Sequence, residues 1–167
     1  MNQMNIQISL AELSQASAIA EVLQQAFLEY EPIYTPEAFA ATTPTAEQIQ
    51  KRWDEGPVWV ALQSTEVVGT IAAVPKHNKS LYVRSIAILP AARGQNVGKA
   101  LLQEMEQFAR DNNFQRMFLS TTPFLERAIR LYQNFGFKQT DEGPHELFGT
   151  PVFTMEKTLH AELKGNS

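Results

Sequence analysis

The run Leu81-Tyr82-Val83-Arg84-Ser85-Ile86-Ala87-Ile88-Leu89 stops at Pro90, and beyond a short turn a helical pattern continues toward Arg110. The second half of the run is nearly all apolar, as a central strand buried on both faces requires. In the helix, Ala100, Leu101, Leu102, Met105, Phe108 and Ala109 make one wide apolar face, a packing stripe. Asn112-Asn113 ends it, and Met117-Phe118-Leu119-Ser120-Thr121 is a second strand. Strand, helix and strand in that order imply a parallel pair joined by a right-handed crossover.

The turn between strand and helix, Ala91 through Ala100, carries the first chemistry. The first four N–H groups of a helix have no intrahelical partner, and the peptide dipoles add partial positive charge there, so the turn suits an anion such as a pyrophosphate. Gly94 and Gly98 allow close backbone approach, and Arg93 and Lys99 add charge. Two common phosphate loops fail on spacing. At the distance where a P-loop needs its first glycine the chain has Arg93, and Ala100 follows Lys99 where a hydroxyl is needed for magnesium. Gln95 and Asn96 break the dinucleotide fingerprint.

The other segments read simply. Ile6 to Leu10 alternates as a first strand, and Ala16 to Tyr30 is an amphipathic helix with Ser14 as its expected cap. Glu31-Pro32-Ile33-Tyr34-Thr35-Pro36 is a rigid aromatic loop, either tucked against the core or forming an acceptor-binding lip in which Glu29 or Glu31 attracts an amine. Thr43 and Pro44 are expected to open a helix that stops at Gly56-Pro57. Val58–Leu62 and Val67–Val74 form an antiparallel hairpin. Arg84 either pairs with an acid near the strand start or clamps an acceptor carboxylate. Thr122-Pro123 is expected to begin a helix that reaches Phe135, Gly136-Phe137 to start the next strand, Glu142 to His145 to turn, and Pro151 to Lys157 to be a final strand.

What remains at the turn, Arg-Gly-x-x-hydrophobic-Gly-x-Ala-Leu-Leu after a strand ending in Pro, resembles the acetyl-CoA-binding segment of the GCN5-related N-acetyltransferase (GNAT) superfamily. Asn96 stands where the middle glycine is usual, and Asn tolerates a left-handed backbone. Ala128-Ile129-Arg130-Leu131-Tyr132 with Gly136-Phe137 resembles the second signature of that superfamily. The resemblance covers about Val58 to Phe137. It implies an α/β (α+β) fold with a mixed, mostly antiparallel sheet of six to seven strands, a parallel pair at the acetyl-CoA site and about four flanking helices. The organisation expected is a single domain over residues 1–160 and a frayed tail over 161–167.

The implied activity is transfer of an acetyl group from acetyl-CoA, as co-substrate, directly to a primary amine of a small molecule, amino acid or peptide through a tetrahedral intermediate. The alternative is a non-catalytic sensor or interaction module that binds CoA or acetyl-CoA. By resemblance, Arg93, Gly94, Gln95, Asn96, Val97, Gly98, Lys99 and Ala100 hold the pyrophosphate, and a backbone N–H at Ile86, Ala87 or Ile88 meets the thioester oxygen. Tyr132 matches the residue that protonates the departing thiolate. Leu125 stands where many relatives have an asparagine. Candidate acceptor contacts are Glu29, Glu31, Tyr34 and Arg84, and Glu29, Glu31, Tyr82 and His145 are candidate bases. A homodimer through the last strands is compatible with the resemblance.

Composition bounds the partners. With 44% apolar and 19% charged residues the 167-residue chain can build a core without staples. It has no cysteine, so disulfides and thiolate metal sites are excluded, and the scattered His77, His145 and His160 give no metal motif. A net charge of −4 gives no footprint for nucleic acid. Without a leader-like segment or a ~20-residue apolar run, a cytoplasmic protein away from the membrane is expected.

Overall fold

The computed structural model describes residues 5–143 and 145–160. The expected tail over 161–167 lies outside them. Eight strands form one sheet: β1 (Ile6–Leu10), β2 (Val58–Gln63), β3 (Glu66–Lys76), β4 (Ser80–Ile88), β5 (Arg116–Thr121), β6 (Lys138–Gln139), β7 (His145–Leu147) and β8 (Thr150–Thr158). Their order is β1-β2-β3-β4-β5-β8-β6, with β7 against β8. All neighbours are antiparallel except β4 and β5, which run parallel from Ser80–Tyr82 opposite Arg116–Phe118. The helices are α1 (Ala16–Phe27), α2 (Pro36–Thr42), α3 (Ala46–Lys51), α4 (Val97–Asp111) and α5 (Glu126–Asn134). Among the described residues the sheet therefore has one strand more than the six to seven expected, the short β7 that begins at the last residue of the expected turn, and there are five helices where about four were expected.

The sheet is buried on both faces because its residues alternate between two cores. Trp59 and Ala61 join the cluster under α4 with Leu101, Leu102 and Met105. Val60 between them joins the cluster of α1 and α3 with Ile19, Leu23 and Ile49. Val67 through Val74 are all buried, as a central strand covered on both sides demands. α4 supplies the crossover that makes β4 and β5 parallel.

Local caps correct several expected helix starts. A 3-10 turn at Leu13–Gln15 precedes α1, with Glu12 N–H donating to Gln15 Oε1 at 2.8 Å, so Ser14 lies inside this turn instead of capping. α3 is capped by Thr45, not Thr43: Thr45 Oγ1 accepts from Gln48 N–H at 3.2 Å while Gln48 Oε1 accepts from Thr45 N–H at 2.9 Å. α2 begins at the last residue of the expected aromatic loop, started by Thr35, whose Oγ1 accepts from Ala38 N–H at 3.2 Å, and by Pro36 in the first turn. α5 begins at Glu126, and Thr122, Pro123 and Phe124 lead into it without helical structure.

Candidate active site

Pairing between β4 and β5 stops after Tyr82 and Phe118. From there each strand end is free of the other. β4 also carries a bulge: Ala72 pairs Arg84 and Thr70 pairs Ala87, so Ser85 and Ile86 together face Ile71. Ser85 has φ +57°, a left-handed conformation uncommon for a residue with a side chain. A bulge bends its strand and increases the local twist, and here it lies just beyond the point where β4 leaves β5.

Two cavities occupy the opening. One of about 130 Å³ lies against α1 and α5, lined by Ile86, Ala87, Ile88, Arg93, Leu125 and Tyr132 among others. One of about 500 Å³ lies on the β5 side, lined by Tyr34, Arg52, Arg84, Thr121, Thr122 and Tyr132 among others. Phe27, Ile86, Leu125, Ala128 and Tyr132 line both. Tyr132 is 5% exposed, and its ring centroid is 5.9 Å from that of Phe137. Burial, with a smaller effect of Tyr34, raises its phenol well above the ordinary 10.0, so it stays protonated through the neutral range. Its hydroxyl makes no hydrogen bond to another side chain among the described residues.

The residues expected to hold a pyrophosphate stand at the mouth of the smaller cavity and the start of α4. Asn96 has φ +62° and ψ +24°, the left-handed conformation that the missing glycine would adopt, and no side chain caps the helix. Gly94, at φ +85°, faces open space, with nothing within 4 Å of where a Cβ would be. Gln95 and Lys99 are exposed, and Gln63 Nε2 donates to Gln95 Oε1 at 3.1 Å. Gly98 has a different reason to lack a side chain: a Cβ there would lie 2.7 Å from Leu131 Cδ2, so this glycine lets α4 and α5 approach. These uncapped N–H groups, this backbone and the adjoining cavity fit a pyrophosphate and its acyl arm.

The four expected acceptor contacts separate. Tyr34 and Arg84 line the larger cavity. Tyr34 packs edge-on against Phe124 at 4.9 Å, and burial raises its phenol. Glu29 bridges Arg93 and Arg127, at 2.9 Å from each, on the side of the smaller cavity. Burial pushes its carboxyl up, but the hydrogen bonds and charges of the two arginines outweigh this and hold it below the ordinary value. Glu31 is exposed and lines neither cavity. Of the candidate bases, Tyr82 and His145 line the larger cavity.

Sequence reasoning missed Arg52, Thr121, Thr122 and Arg127. Thr121 ends β5 and Thr122 follows it, and ligands in α/β sheets bind beyond the carboxyl ends of strands, so that rule could have found them. Arg52 sits at the end of a short polar helix and had no signal of its own.

Comparison with known proteins agrees with this geometry. The chain is 32% identical over 130 residues to the uncharacterized N-acetyltransferase YjgM of Escherichia coli (strain K12), a match covering 74% of this chain and 77% of that protein. It is 35% identical over 89 residues to human N-acetyltransferase 8B, covering 50% of this chain and 39% of the relative. The chain thus spans about two fifths of that relative's length. The fold superposes on the PaiA N-acetyltransferase of Thermoplasma acidophilum, solved in complex with coenzyme A, with a TM-score of 0.79 at 19% identity over 93% of this chain and 100% of the other. Residues 19–137 match the model of the Acetyltransferase (GNAT) family, and the chain belongs to that family.

Proposed function

We propose that the chain transfers an acetyl group from acetyl-CoA to a primary amine. The observation that carries this reading is the meeting of two cavities at one protonated, buried phenol, with the uncapped start of α4 beside the smaller one. The donor's pyrophosphate lies on the free N–H groups of Val97, Gly98 and Lys99, since the Ala100 N–H already donates to the Asn96 carbonyl, and its acyl arm enters the smaller cavity past Ile86 and Ile88. The amine enters from the larger cavity.

Acetyl-CoA supplies an activated thioester: the amine nitrogen forms a bond to the acetyl carbon, the carbon–sulfur bond breaks, and the sulfur leaves as a thiolate. The β5-facing edge of β4 beyond Tyr82 has no strand partner, and one backbone N–H within Ile86 to Ile88, that of Ile88 where Leu89 donates to Val68 on the β3 side, is the donor for the carbonyl oxygen. Tyr132 gives its phenolic proton to the leaving sulfur. The proton lost from nitrogen passes through the open larger cavity to solvent, and the phenolate regains one from there. Products are the N-acetyl compound and free CoA.

A second reading, a CoA-binding module without turnover, draws on Leu125, an apolar side chain lining both cavities where many relatives have an amide. Calorimetry with acetyl-CoA and with ATP, combined with thiol release over a panel of amines, separates the readings. Binding of acetyl-CoA with amine-dependent thiol release is expected. Binding with no release above hydrolysis for any amine would leave the sensor, and binding of ATP but not acetyl-CoA would remove both.

A further inference from the structure

Among the described residues the buried Arg84 Nε and Thr121 Oγ1 lack a hydrogen-bond partner, and Thr122 Oγ1, outside good hydrogen-bond geometry, has only the Tyr34 phenol beside it. All three residues line the larger cavity, and the two threonines are only 4% and 3% exposed. A buried hydroxyl or guanidinium N–H without a partner is costly, so such atoms around one cavity point to a polar ligand that completes them.

The charge around them says which kind. Arg52 lines the same cavity, its Nη2 donating to Ser85 Oγ at 3.4 Å on the bulge of β4. Arg84 is ion-paired with Glu55. Among the described residues Arg52 has no carboxylate partner of its own, so two guanidiniums share one carboxylate and a single positive charge is left over. Burial, and then the charge of Arg84, hold Arg52 below the ordinary arginine value, with Glu55 and Tyr82 opposing. One uncompensated positive charge beside a half-buried planar donor matches a monoanion able to accept two parallel hydrogen bonds. On β7, Glu146 lines the cavity as its acidic side chain. A zwitterion carrying one ammonium and one carboxylate matches both charges. Arg84 and Ile86 flank the bulge at Ser85, closer together than two extended residues of strand, so a short amino acid spans from the clamp to the acyl group.

We propose that the acceptor is a small amine bearing a carboxylate, which Arg52 and Arg84 hold while the Thr121 and Thr122 hydroxyls complete its hydrogen bonds. The inference rests on the acetyltransferase reading for turnover, but binding tests it separately. The probes are amino acids paired with their decarboxylated amines and with their amides, plus phosphoethanolamine as a phosphate-bearing amine. Each is titrated calorimetrically against the CoA complex and assayed for thiol release. Members with the carboxylate are expected to bind, and to react where turnover occurs, about 10- to 100-fold better than their partners. Arg52→Gln is expected to erase that preference, raising the KM of the carboxylate-bearing members to that of their decarboxylated partners, whatever common change in rate all amines share. Arg84→Lys, which keeps a cation for Glu55, is expected to reduce it in the same direction. Equal binding of paired members throughout, a preference for phosphoethanolamine, or a preference untouched in both variants would overturn the proposal. Failure of thiol release with every amine, alongside carboxylate-dependent binding, would sink the acetyltransferase reading and leave this one standing.

Discussion

Tyr132→Phe removes one oxygen and nothing else, and the structure sets what each readout should report. The ring is 5% exposed and packs on Phe137, and phenylalanine keeps that contact. The hydroxyl has no side-chain partner among the described residues, so its loss breaks no hydrogen bond, and stability should change by no more than about 0.5 kcal/mol, or about 1–2 °C in Tm. Turnover should respond very differently. A positioned general acid contributes about 10²- to 10⁴-fold. A thiolate, with a parent thiol near pKa 8.5, leaves without full protonation more readily than an amine or alkoxide, which lowers the expected loss. We therefore expect kcat to fall about 10- to 1,000-fold, about 1.4–4 kcal/mol, with the KM for acetyl-CoA little changed. Alkaline unfolding adds a third readout. Burial raises the folded-state phenol, so above its ordinary value of 10.0 the unfolded chain loses a proton that the folded chain keeps, and stability falls as pH rises past that point. The phenylalanine variant lacks this proton, so its unfolding curve should be flatter above about pH 10 than that of the parent. Thiol release, calorimetric melting and urea titrations at pH 8 and 10.5 measure all three. An unchanged kcat refutes the proton-donor role, and a Tm loss of about 5 °C or more would mean that the hydroxyl has a structural partner.

Asn96→Gly should leave the dissociation constant for acetyl-CoA within about twofold by calorimetry, because glycine adopts φ +62° freely, whereas Asn96→Val should weaken it about tenfold through backbone strain of about 1–2 kcal/mol. Gly98→Ala forces Leu131 away from α4, and urea denaturation should show a loss of about 1–2 kcal/mol. Glu106 binds Lys157 at 2.6 Å and Arg110 at 2.8 Å with its side chain 16% exposed. Burial pushes its carboxyl up, but these two cations outweigh it and hold the group below 4.5, so its stabilisation is present above that pH and fades as pH falls through the lowered value. Glu106→Gln should cost about 1–2 kcal/mol at pH 7 and flatten the acid limb of a pH–stability titration.

The parallel pair was legible because it rests on long periodic segments: the apolar run into Pro90 and the wide stripe of α4 each exceed what local turn chemistry can disguise. Asn96 was legible for a narrower reason, since its left-handed backbone follows from the geometry of the turn and asparagine tolerates it. Helix starts were less so. Threonine followed by proline occurs at Thr35-Pro36, Thr43-Pro44, Thr122-Pro123 and Thr150-Pro151, yet only the first opens a helix. At the second, the reciprocal bonds of Thr45 with Gln48 form the cap. The acceptor side was least legible because it is assembled from distant pieces. Arg52, Arg84 and Thr121 come from three different elements, and no periodicity marks that they meet. Glu29 shows the converse: an acid near an aromatic loop suggested an amine contact, while tertiary packing turned it toward Arg93 and Arg127.

Ser85 links the two halves of the site. Its left-handed backbone inserts the extra residue that shifts β4 against β3, and this shift lies between Arg84 on one side and Ile86 to Ile88 on the other. The same residue therefore divides the strand into a part that lines the larger cavity and a part that lines the smaller one. Its Oγ accepts from Arg52, which ties the end of α3 to the bulge and brings the second guanidinium to the cavity. A non-glycine residue in this conformation costs on the order of 1 kcal/mol and persists only where the surroundings hold it. Here the holding groups are the β3 ladder on one edge and Arg52 at the side chain, while the edge that faced β5 is released. Strain at Ser85, the opening between β4 and β5 and the surplus positive charge are thus consequences of one local geometry. A chain that straightened β4 by pairing it fully with β5 would lose the free edge at Ile86 to Ile88 and the Arg52–Ser85 contact together, and with them both proposed subsites.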